Sequence, residues 1–189
     1  DLGNIHKSLK DYRKSIENYN IALNSINKDS DSYADILYRR GGSYERLKEF
    51  ERADEDLLLA LDVNPDQPYV LNYLAYSWLE RKINIDQSMQ MLLKAYEQKQ
   101  SDPYIIDSVG WAYYLTEDYD LAEKFLKNAL LIMPEDPIVN DHYGDVMWQL
   151  DMKLQARYYW NAALSSDEAE EKLIEDINNK LLFGLKNLQ

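Results

Sequence analysis

The stretch Ile106-Asp107-Ser108-Val109-Gly110-Trp111-Ala112-Tyr113-Tyr114-Leu115 runs on through Thr116-Glu117-Asp118-Tyr119 into Asp120-Leu121-Ala122. Counted from Gly110, Tyr113 falls at +3, Tyr119 at +9, Ala122 at +12, Leu126 at +16, Ala129 at +19 and Pro134 at +24. The same offsets from Gly41 reach Tyr44, Phe50, Ala53, Leu57, Ala60 and Pro65. A glycine on one helix and alanines on the next let two backbones approach. Aromatics fill the space beside them, and proline, lacking an N–H donor, ends the second helix. Each unit reads as a helical hairpin.

The hairpin recurs. Gly144 lies 144 − 110 = 34 residues after Gly110, Gly110 lies 110 − 75 = 35 after Ala75, and Ala75 lies 75 − 41 = 34 after Gly41. Gly3 precedes Gly41 by 38, the surplus falling in the polar loop Asn27-Lys28-Asp29-Ser30-Asp31-Ser32. A unit of this size cannot bury its apolar face alone, so the pattern predicts a stacked array that displays a surface. Gln67-Pro68, Asp102-Pro103 and Asp136-Pro137 mark helix starts, where the missing N–H of proline costs nothing. The expected units are residues 1–32, 33–67, 68–102, 103–136 and 137–166. No Gly/Ser-rich linker divides them, which predicts one continuous array.

Small residue, Tyr, aromatic, Ala, Leu, Ala and Pro at this period resemble the tetratricopeptide repeat (TPR) family over nearly the whole chain. The unit around Gly144 keeps Met147, Ala156, Trp160 and Ala163. The unit around Ala75 keeps Trp78, Leu92 and Ala95, with one residue inserted near Ile83-Asn84-Ile85-Asp86. The first unit keeps Gly3, Tyr12, Tyr19 and Ala22 but carries His6 and Ser15 where Tyr and Ala are usual. The resemblance implies an all-α fold, a right-handed superhelix (α-solenoid) of stacked antiparallel helix pairs. The words Leu71-Asn72-Tyr73-Leu74-Ala75-Tyr76-Ser77-Trp78 and Asp141-His142-Tyr143-Gly144-Asp145-Val146-Met147-Trp148 also look like the C-terminal repeats of bacterial envelope TPR proteins. Some of these are outer-membrane lipoproteins, and one is the adaptor of a carboxyl-terminal processing protease. That likeness implies a periplasmic or outer-membrane-anchored scaffold.

The chain has 189 residues, 34 acidic against 21 basic, and a net charge of −13. A mean hydropathy of −0.58 and the lack of a long apolar run predict no membrane insertion of these residues. The charge opposes binding to nucleic acid and to anionic membrane surfaces. With no cysteine, neither a disulfide framework nor a thiolate metal site can form. Asp1 is not an initiator methionine and Gly3 already stands at a packing position, so the chain reads as a fragment whose targeting segment or further repeats lie upstream. Its C-terminus reads as native. There an amphipathic helix is expected from Ser166-Asp167, over 167–189, with Leu173, Ile177, Leu181 and Leu185 covering the last repeat. Glu168, Glu170, Glu171, Glu175 and Asp176 would face water, as a capping helix requires.

In the TPR pattern, positions −6, −3, +1 and +4 from the small packing residue of the first helix line a concave groove. The resemblance therefore implies a partner-binding groove formed by Tyr38, Asn72, Tyr76, Asp107, Trp111, Tyr114, Asp141, Asp145 and Trp148. The −6 row adds Asp35, Tyr69, Tyr104 and Ile138. Aromatics are the usual hot spots of interfaces, and carboxylates beside them select basic or aromatic-apolar protein segments. Asp107, Asp141 and Asp145 are expected to supply that charge selectivity. Trp111 and Tyr76 have a second reading, packing between neighbouring first helices, whereas Trp78 and Trp160 hold core positions. The Lys/Arg/Asn clamp with which chaperone-binding TPR domains hold a carboxylate is missing, since only Arg39 stands near the groove.

No catalytic centre is legible. The two histidines are His6 and His142, and the glycine context of Ser108 is explained by packing rather than by a triad. Asp141, His142 and Asp145 share a helix face, but a surface histidine accounts for them better than a metal site. No glycine-rich phosphate loop occurs. The expected function is a non-enzymatic scaffold or adaptor without cofactor or metal, whose partner is a protein such as a protease or an envelope assembly factor. The alternative is the substrate-recognition arm of a larger enzyme.

Overall fold

Gln67, Asp102 and Asp136 each cap a helix whose first residue is proline. Their side-chain oxygens accept the N–H groups of the next turn: Tyr69 and Val70, Tyr104 and Ile105, Ile138 and Val139. In the computed structural model, which describes residues 11–185, every helix or strand assigned is α-helix. The helices are α1 (Tyr12–Leu23), α2 (Asp31–Arg46), α3 (Phe50–Val63), α4 (Pro68–Glu80) and α5 (Ile85–Gln98). They continue as α6 (Pro103–Leu115), α7 (Tyr119–Ile132), α8 (Pro137–Gln149), α9 (Lys153–Leu164) and α10 (Glu171–Phe183). Gly3 and His6 lie outside the described residues.

The turn inside each hairpin repeats its chemistry. Between α2 and α3, α6 and α7, and α8 and α9, the middle residue is left-handed: Lys48, Glu117 and Asp151, with φ of 61°, 63° and 61°. Each turn is closed by one backbone bond: Glu49 N to Tyr44 O at 2.9 Å, Asp118 N to Tyr113 O at 3.0 Å, Met152 N to Met147 O at 2.8 Å. The connection from α4 to α5 is one residue longer and holds two left-handed residues, Lys82 and Asn84. That is the insertion expected near Ile83.

The chain divides into two compact units, Asp1–Ile83 and Asn84–Gln189. In the first, α2 and α3 meet at Gly41, where a Cβ would stand 3.0 Å from Leu57 Cγ. Ile16, Tyr44 and Ala53 form a core beside them. The guanidinium of Arg40 donates to both oxygens of buried Asp56, at 2.7 and 2.6 Å, and to Asn20 at 2.6 Å. Burial pushes the Asp56 carboxyl up against the pull of Arg40. This planar, bidentate clamp between α2 and α3 joins residues 16 positions apart.

In the second unit a Cβ on Gly110 would meet Leu126 Cγ at 2.6 Å, and one on Gly144 would meet Trp160 Cδ1 at 2.5 Å. The residue at +16 therefore lies on the bare backbone of the glycine, which is why the two recur together. Trp160 is fully buried and Trp78 nearly so, as their core positions predict. Helix α10 buries Ile177 against this core, with Leu173, Leu181 and Leu185 packed beside it, while Glu168, Glu170, Glu171, Glu175 and Asp176 are exposed. It starts at Glu171 rather than at the expected Ser166-Asp167. There the Ser166 carbonyl accepts from Ala169 N and its hydroxyl from Glu168 N, so the chain turns before the helix begins.

Candidate functional site

First helices of successive hairpins meet in a recurring pair of positions. In the first unit Tyr38, three before Gly41, packs edge-on against Tyr73, two before Ala75, with ring centroids 5.7 Å apart and planes at 88°. In the second unit Asp107, three before Gly110, faces His142, two before Gly144. Its two oxygens lie 3.0 and 3.1 Å from His142 Nδ1. Asp141, three before Gly144, meets Lys180 of α10 instead. Tyr38, Asp107 and Asp141 of the −3 row thus each contact another helix.

Trp111 lies between two rings. It stacks on His142 at 4.1 Å and 12° and on Tyr114 at 4.6 Å and 9°. Both it and Trp148 remain half-buried, while Tyr114 is buried. Burial, then the charge of Asp145, pushes the Tyr114 hydroxyl up to about 12. Trp148 packs against Trp160 at 5.3 Å, carries the Lys153 ammonium 4.1 Å from its centroid, and leaves no room for a Cβ on Gly184. In the first unit Tyr38, Asn72 and Tyr76 are half-buried, and Asn72 Oδ1 has no hydrogen-bond partner.

The Lys180 ammonium sits 2.8 and 2.7 Å from the Asp141 oxygens and 2.8 Å from Asp145 Oδ2. Asp145 also accepts from Trp160 Nε1 at 2.9 Å. Burial, with the neighbouring charge of Asp141, pushes Asp145 up to about 6 even though Lys180 and Trp160 pull it down. Burial alone would lower Lys180, but Asp145 and Asp141 raise it. The Lys180 ammonium therefore stays charged near neutral pH.

These contacts revise the charge selectivity expected of the groove. Asp107, Asp141 and Asp145 are buried, at 5%, 6% and 3% exposure, and already bonded inside the chain. Arg39 pairs with Asp35 at 2.8 Å. In the −6 row Tyr69, Tyr104 and Ile138 are exposed. The Ser108 hydroxyl donates to its own helix at Tyr104 O, 2.9 Å away, and His142 is turned to Asp107. Among the described residues no group of three His, Asp or Glu side chains could hold a metal ion, and no helix is long and apolar enough to cross a membrane. Sequence reasoning missed Lys180 and the pairing of His142 with Asp107. A 35-residue separation for the histidine pair was the one available signal.

Paired helices closed by a common turn and a glycine under the +16 side chain define a helical-repeat scaffold of the protein-binding kind. One hairpin, residues 34–67, matches the Tetratricopeptide repeat family model. The TPR repeat-containing protein PA4667 of Pseudomonas aeruginosa is 29% identical over 110 residues, 58% of this chain and 18% of that protein. The chain thus matches under a fifth of that relative's length. Among solved structures, PilW, a widely conserved type IV pilus biogenesis factor, superposes with a TM-score of 0.76 at 23% identity, over 97% of this chain and 84% of that one. TTC0263, a thermophilic TPR protein of Thermus thermophilus, gives 0.74 at 19%, over 96% of each chain. At these identities the structural likeness establishes the fold.

Proposed function

We propose that this scaffold is a non-enzymatic adaptor that holds an apolar helical segment of a protein partner on the faces of its first helices. The observation that carries the reading is the seat of α10. The α8 face already holds one amphipathic helix, with Lys180 at Asp141 and Asp145, Ile177 buried and Gly184 against Trp148. A helix laid in a groove from outside uses the same apolar anchors one turn apart. Tyr38, Asn72 and Tyr76 would make the contact in the first unit, and Trp111 and Trp148 in the second. Asp107, Tyr114, Asp141 and Asp145 would shape the face from behind.

The likeness to envelope TPR adaptors, together with the role in pilus biogenesis that describes PilW, supports a protease or an envelope assembly factor as partner, in the periplasm or at the outer membrane. Site-directed photo-crosslinking in cells tests this, with the crosslinker at position 38, 76 or 148 and a control at exposed Leu131. The expected product is an apolar partner segment, captured from 38 and 76 in the first unit or from 148 in the second, and not from 131. Capture of a polar segment, or equal capture from 131, overturns the reading.

A further inference from the structure

The second unit contains a recess of about 1010 Å³ that shares Tyr104 with the −6 row and that none of the nine groove residues lines. It is walled by Tyr104 at the start of α6, Pro134 and Glu135 before α8, Tyr158 on α9, and Asp167 and Glu168 before α10. We propose that this recess is a separate docking surface for an extended, arginine-bearing segment of a protein partner.

Two observations point to that chemistry. Tyr104 and Tyr158 are 63% and 68% exposed, although each borders a concavity. The Tyr158 ring is steadied by an edge contact with Tyr159 at 5.1 Å. Exposed tyrosine faces at a concave site offer large, rigid contact area with little rotamer entropy to lose. The charges around them have one sign: among the described residues Glu135, Asp136, Asp167 and Glu168 line the recess, and no lysine or arginine does. Asp136 is bonded to the N–H groups of Ile138 and Val139, which leaves its negative charge in place.

A guanidinium meets both features, because it stacks on an aromatic face and forks onto a carboxylate, whereas an ammonium acts as a point charge. The volume is at the upper end of small-ligand pockets and suits several residues of extended chain, the form in which proline-rich peptides dock on aromatic-lined surfaces. Phosphate-bearing ligands are repelled by the same carboxylates.

The test is fluorescence polarisation of a labelled peptide of alternating arginine and proline, beside its lysine-proline and glutamate-proline counterparts. The arginine peptide should bind at least about tenfold tighter than the lysine peptide, and the glutamate peptide should not bind. Tyr104→Ala, Tyr158→Ala and the double variant Asp167→Asn/Glu168→Gln should each weaken the arginine peptide by about fivefold or more, with unchanged melting temperature. Tyr76→Ala, on the first-helix face, should leave that affinity as it is, which separates this surface from the adaptor reading above. Equal binding of arginine and lysine peptides, undiminished in the variants, would mean that only the net charge of −13 attracts them. That outcome, or no binding at all, overturns the proposal.

Discussion

The Lys180 ammonium lies 2.7 Å from the carboxylate of Asp141, across 39 positions of sequence. With Asp145 beside it, this contact fastens α10 to α8 in a buried site. Removing one partner of such a site strands the others. Lys180→Met should cost about 3–5 kcal/mol, because two carboxylates lose the cation bonded to both while remaining buried. Chemical denaturation gives the loss, and hydrogen exchange should show α10 amides deprotected first. The compensating variant Lys180→Met/Asp141→Asn/Asp145→Asn should recover much of it.

Acid should strengthen the fold before it weakens it. Asp145 is raised to about 6, and Asp56 is raised as well, so between pH 4 and 6 the native state holds more protons than the unfolded chain. Stability must then fall as pH rises through that window. The melting temperature should be higher at pH 5 than at pH 7.5, and Asp145→Asn should flatten the slope. A flat profile in the parent protein would contradict the raised carboxyl.

Gly110 and Gly41 sit at the same repeat position with different clearance, 2.6 against 3.0 Å from the leucine at +16. Gly110→Ala should cost about 1–3 kcal/mol by overpacking α6 on α7. Gly41→Ala should cost less. Thermal unfolding of both variants ranks them.

Lys48, Glu117 and Asp151 hold left-handed backbone without being glycine. Glu117→Gly should relieve that strain and stabilise by about 0.5–1 kcal/mol, after allowance for the looser unfolded chain. Glu117→Ala should bring no such gain, and urea denaturation distinguishes the two.

The hairpins were legible because their signals are local and repeated. Gln67, Asp102 and Asp136 before proline announce helix starts through cap chemistry that needs no neighbour. Gly110 with Leu126 announces a close helix crossing through its spacing. The start of α10 was misplaced because Ser166 closes a turn where acidic helix formers follow. The groove was legible only as a set of positions. Asp107 and Asp141 stand at equivalent places in the period, yet one meets a histidine and the other a lysine. Tyr104 and Tyr158 are separated by 54 positions, and nothing local brings them to one recess.

By itself, the sequence determined the helical hairpins, their period, the glycine contacts and the acidic composition, because each follows from backbone geometry or composition within one unit. Only the tertiary structure decided which carboxylates are spent inside. Whether Asp107, Asp141 and Asp145 face water depends on the side chain that a neighbouring helix brings within about 3 Å. Lys180 arrives there through packing of a helix beyond the repeats, which no period records.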